Sequence, residues 1–85
     1  MTQHIADWQM HVYLFEDDGH TSARVELRTP TTVLNGSGQA RRNPVDPDVP
    51  EIGDEIAVGR ALVELGNQLL DTAGRDIAAV GNPRT

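Results

Sequence analysis

Three groups of side chains in this sequence have types and spacings that can do chemistry. If Asp18-Gly19 centres a hairpin, His11 falls opposite Glu26. An imidazole beside a carboxylate is the pairing of a general base with the group that orients it. No nucleophile and no pocket-forming motif accompanies the pair, and a cross-strand hydrogen bond explains it, so no catalytic residue is assigned. His20 stands beside Asp17 and Asp18, but consecutive acids in a turn lack the ligand spacing of a calcium or zinc site. Neither a metal nor a cofactor is expected. Asp46, Asp48, Glu51, Asp54 and Glu55 crowd the approach to a helix, where acids suit the positive end of the helix dipole and repel phosphate.

The same hairpin lays Gln9, His11, Tyr13, Phe15, Arg24, Glu26 and Arg28 side by side. Arginines interleaved with aromatics can stack on bases, and exposed aromatics are favoured at protein interfaces. With only two aromatics and with Glu26 among the arginines, the protein partner is the better expectation. This row is the candidate interaction surface.

The elements that must position these residues are legible from periodicity. Trp8–Phe15 alternates strictly, with Trp8, Met10, Val12 and Leu14 opposed to Gln9, His11, Tyr13 and Phe15. Thr21–Thr29 alternates too, and Asp-Gly is a favoured centre for the tight turn between them. That turn pairs Val12 with Val25 and Tyr13 with Arg24; a slip of one residue would mix the two faces. A third strand over Val33–Arg42 carries Leu34, Gly36, Gly38 and Ala40 on one parity, small positions that face a closely approaching helix. Three prolines at three-residue intervals, Pro44, Pro47 and Pro50, predict a stiff extended crossing. A long helix follows over 52–73, with Asp54 as its cap. Gly74 stops it, and a separate short helix spans 75–80.

On a helical wheel, Leu65, Val58, Leu69, Leu62, Val63 and Ile56 share one side with Gly59 and Gly66. Asn67, Arg60, Asp71, Glu64, Gln68 and Asp54 share the other, with only Ala57 and Ala61 between the two sides. Gly59 and Gly66 are the expected low spots that match the glycines of the third strand. The fold class is α+β: a three-stranded antiparallel sheet in the order β-β-β-α, with one long C-terminal helix on one face.

Composition narrows the function. The 85 residues make a single domain, 1–85, at the small end of what folds unaided. Cysteine is absent, so neither disulfides nor thiolate metal sites contribute. No apolar run is long enough for a membrane span or a secretory signal, and a cytoplasmic location is expected. A net charge of −6 argues against direct duplex RNA or DNA binding, which uses clustered cations.

The segment Gly36-Ser37-Gly38-Gln39-Ala40-Arg41-Arg42-Asn43-Pro44, together with Val49-Pro50-Glu51-Ile52-Gly53-Asp54-Glu55-Ile56 and Arg60-Ala61-Leu62, resembles a mostly actinobacterial family, domain of unknown function 1876. The resemblance runs from about Trp8 to Val80. It implies a fold similar to the double-stranded-RNA-binding domain, association as dimers, a link with stress or dormancy, and a likeness to ribosome hibernation factors. Gln39 and Arg42 depart from the apolar residues usual in that family, which makes the third strand wetter at its edge. No catalytic residues come with the family.

Two functions are therefore expected. The first is a non-catalytic interaction module, not an enzyme, that forms a homodimer through its open sheet face or through the unprotected edge strand Trp8–Phe15, which contains no Pro or Lys. The alternative is a stress-linked translation factor that contacts the ribosome.

Overall fold

The alternation that marks the first two strands produces a hairpin in the computed structural model, which describes residues 3–43 and 49–81. The strands are β1 (Gln9–Asp17), β2 (His20–Arg28) and β3 (Val33–Arg41), and they form one antiparallel sheet in the order β1-β2-β3. Asp18 and Gly19 both take positive φ, 48° and 78°. That is the conformation a two-residue turn of this hand requires. The register follows: Met10 faces Leu27, Val12 faces Val25 and Leu14 faces Ala23, while Tyr13 faces Arg24 and Phe15 faces Ser22. The ladder begins at Gln9, so Trp8 lies just outside it.

One helix, α1 (Pro50–Gly81), lies on the sheet. Its core contact is a single row of residues four apart, Ala57, Ala61 and Leu65, set against Ala23, Val25, Leu27 and Ala40. Leu34, Val58 and Leu69 pack partly buried around this cluster. The approach is close because β3 offers glycine there. A Cβ on Gly36 would stand 2.8 Å from the Leu65 backbone nitrogen and meet the Ala61 carbonyl; one on Gly38 would meet the Ala57 carbonyl. The glycines of β3 thus face the helix as expected.

The helix differs from its expected form in three respects. Gly59 and Gly66 are not the matching low spots: a Cβ on either would meet nothing within 4 Å. Ala57 and Ala61 take that role, because the helix is rolled so that the border between its apolar and polar sides faces the sheet. Asp54 is not the cap, since the helix begins a turn earlier with Pro50 in its first position, where the missing N–H costs nothing. Ile52 N–H donates to the Val49 carbonyl at 3.1 Å. Finally, Gly74 does not end the helix, and no separate helix spans 75–80. Gly74 is exposed with open space around it, and a mid-helix glycine costs only about 1 kcal/mol, which the alanines around it tolerate. The expected stiff crossing over Pro44–Pro47, with Asp46 and Asp48, lies outside the described residues.

Candidate functional site

The roll of α1 brings its polar side to the outer edge of β3. Arg60 Nη1 donates to the Gln39 carbonyl at 2.7 Å, Gln68 Nε2 donates to the Asn35 carbonyl at 2.6 Å, and Ser37 N–H donates to Glu64 Oε1 at 3.2 Å. Residues four apart on the helix meet residues two apart on the strand, so the edge groups of β3 are closed by side chains. The wheel put Arg60, Glu64 and Gln68 on the polar side without giving them partners. The signal was present in Gly36 and Gly38: a helix drawn that close lets its flanking polar side chains reach the strand backbone.

The opposite edge is different. Because α1 sits over β3 and β2 and barely reaches β1, all nine residues of β1 are exposed. Met10, Val12 and Leu14 point to the helix side of the sheet, as their partners Leu27, Val25 and Ala23 do, yet the partners are buried and they are not. A trench floored by β1 and walled by α1 therefore runs along the sheet. Among the described residues β1 has no strand neighbour beyond it.

On the open face, the expected surface residues do come together. The Arg24 guanidinium lies 4.2 Å from the Tyr13 ring centroid, and the His11 and Tyr13 rings are 4.3 Å apart. Glu26 does not orient His11. Its carboxylate binds Arg28 Nε at 2.9 Å and Arg24 Nη1 at 3.6 Å, and Arg24 also donates to Asn35 Oδ1 at 2.8 Å. Two arginines hold Glu26 because charge-assisted guanidinium–carboxylate hydrogen bonds are the strong ones. Phe15 is 65% exposed and caps the row towards the hairpin tip, and Gln9 ends it beside Arg28. This arrangement is a pre-ordered, half-aromatic platform with its own charges paired.

At the far end of the sheet, His20 Nε2 hydrogen-bonds Gln39 Oε1 at 3.1 Å, across to β3. Among the described residues no group of three or more His, Cys, Asp or Glu side chains has metal-binding geometry. Nearby, a cleft of about 460 Å³ separates the hairpin tip from the start of α1, lined by Glu16, His20, Thr21, Arg42, Ile52 and Gly53 among others. The Glu16 carboxyl is pushed above its ordinary range by a hydrogen bond with Asp54 and by the charge of that carboxylate. The Oδ1 oxygen of Asp54 is buried and has no hydrogen-bond partner among the described residues. Two carboxyl groups thus meet at the helix start, which disfavours a phosphate there. Among the described residues no helix is long and apolar enough to cross a membrane.

A family model described as Rv2632c-like matches residues 6–85. The crystal structure of Rv2632c superposes with a TM-score of 0.83 at 38% identity, covering 93% of this chain and 95% of that one. An uncharacterised protein of Mycobacterium bovis, Mb1767, is 45% identical over 73 residues, 86% of this chain and 78% of its own length. Rv2632c of Mycobacterium tuberculosis is 41% identical over 71 residues, 84% of this chain and 76% of its own. The assignment to domain of unknown function 1876 is therefore replaced, since the matching family carries a different description. The residues that suggested it have a packing role: Gly36 and Gly38 admit the helix, and Gly53 passes Thr21 where a Cβ would stand 2.9 Å from its hydroxyl oxygen.

Proposed function

We propose, from the premise that this chain belongs to the Rv2632c-like family, that it is a small non-catalytic interaction module. It acts in the cytoplasm as a homodimer and presents its open sheet face to a protein partner. The observation that carries this reading is the state of β1, exposed on both faces and along one edge while the edge of β3 is closed. An unprotected edge strand with apolar side chains invites association. The face beside it holds Tyr13, His11 and Arg24 in a fixed stack, so that little side-chain ordering remains to be done on binding.

Charge favours a protein partner over duplex RNA. The leading turns of α1 carry Glu51, Asp54 and Glu55, and the hairpin tip carries Glu16, Asp17 and Asp18. These two acidic groups meet at the hairpin end of the sheet, where phosphate would meet like charge. Light scattering at high micromolar concentration tests the homodimer, and a monomer there removes it. Mobility-shift assays with duplex and single-stranded RNA at low salt test the partner class. Capture of RNA that weakens steeply with salt would overturn a protein-binding role.

A further inference from the structure

We infer that two copies of this chain associate on the helix side of the sheet, not on its open face, with each helix lying between the two sheets. The inference deepens the homodimer reading above and rests on it. A helix that covers a sheet and otherwise faces water needs one apolar stripe. At about 100° per residue, α1 has far more. Ala57, Ala61 and Leu65 face its own sheet. Val58, Leu62 and Leu69 follow on the flank towards β1. Val63 and Leu70 lie on the side turned away from the sheet, where they are 65% and 72% exposed. Between Ala57 and Asp71, polar residues occupy only the remaining quarter, the one that closes the edge of β3; Glu51 and Glu55, in the leading turns, fall on the β1 flank.

The sheet has the matching excess. Met10, Val12 and Leu14 form an apolar strip on the helix side of β1 that the chain's own helix leaves uncovered, and exposed Trp8 immediately precedes the strand. Packed helices lie about 8–10 Å apart, and neighbouring strands about 4.8 Å. A second helix set against the β1 flank of α1 therefore rests over β1. If that helix belongs to a second copy, the relation is reciprocal. Val58, Leu62 and Leu69 of the two copies face each other, and the outer side of each helix, Val63 and Leu70, rests on the other copy's β1. Every apolar quarter of α1 then has a partner. Gly59 and Gly66, open in the single chain, sit on that outer side and let a neighbouring strand come close.

Area supports the same occupant. Val58 and Leu69 are partly buried, but the other seven of these residues, with Ile52 and Ile56 on the outer side of α1, are 41–72% exposed. Together they present several hundred Å², approaching the value of about 800 Å² per partner in a standard interface. A patch that size lies at the upper end of what a monomer exposes. Pairing β1 with β1 edge to edge would leave Val63 and Leu70 in water, and joining the open faces would leave both strips uncovered.

Symmetry adds a constraint. A two-fold axis that exchanges two helices held between facing sheets runs along them, so the helices are parallel. Leu62 then meets its own mate. The acidic leading turns of both copies share one end, so added salt tightens the dimer.

The test uses the full chain, which contains no cysteine. Light scattering is expected to give twice 9.2 kDa for the wild type. The double variant Val63→Glu, Leu70→Glu, at positions that make no core contact, is expected to run as a folded monomer with unchanged circular dichroism. Phe15→Ser on the open face is expected to stay dimeric, and Leu62→Cys to form a covalent dimer on mild oxidation. A dimer that survives the helix double variant but dissociates with Phe15→Ser overturns this arrangement and leaves the homodimer reading standing. A monomeric wild type overturns both.

Discussion

Replacing Gly36 with alanine should destabilise this protein, although alanine is ordinarily the better strand residue of the two. The new Cβ would stand 2.8 Å from the Leu65 nitrogen and 2.9 Å from the Leu65 Cβ, and would also meet the Ala61 carbonyl. Non-bonded heavy atoms want about 3.5–4.0 Å, so α1 must retreat by about 1 Å. The obstructing atoms are mostly helix backbone, which cannot swing aside as a side chain would. The retreat loosens Ala57, Ala61 and Leu65 from Val25, the centre of the core. Overpacking of this kind costs about 1–3 kcal/mol, and the reduced freedom of the unfolded chain returns about 0.4–1 kcal/mol. The net loss is about 1–2 kcal/mol, which for a domain of this size lowers Tm by roughly 5–15 °C. Gly38→Ala should behave alike, and the double variant should fall short of the sum because one displacement of the helix relieves both contacts. Gly74→Ala is the control. Its Cβ meets nothing, so it should stabilise by about 1 kcal/mol. Thermal and urea unfolding followed by circular dichroism measures all four variants. A Gly36→Ala protein as stable as the wild type would refute the close-approach argument.

Leu65→Ala removes a side chain only 1% exposed from the same contact row and should cost about 2–5 kcal/mol in urea denaturation. Glu16 carries a pH signature. Because its carboxyl is raised above 4.5 by Asp54 in the folded state, the folded chain binds its proton more tightly than the unfolded chain. The associated stability is fully present below 4.5 and is lost as pH rises through the folded value, and Glu16→Gln should flatten that part of a stability-against-pH curve. Glu64→Ala removes the acceptor of the Ser37 amide, so hydrogen exchange at Ser37 should accelerate several-fold while amides in β2 stay protected.

Local pattern was sufficient for the hairpin. Strict alternation and Asp18-Gly19 specify the register residue by residue, because a two-residue turn leaves no slack and a slip would invert both faces. The order of elements, the partners of Tyr13 and Arg24, and the small parity of β3 were legible for the same reason. What periodicity could not decide was the roll of the helix. A wheel reports which residues share a side, not which part of a wide apolar arc a sheet will take. The depth of the Gly36 and Gly38 groove drew in the smallest side chains, Ala57 and Ala61, in place of the bulkiest. That roll in turn sent Arg60, Glu64 and Gln68 to the edge of β3 and left β1 uncovered. Charge competition was likewise invisible in one dimension: Glu26 faces His11 in the register but binds Arg24 and Arg28, since only in three dimensions do both guanidinium groups converge on it.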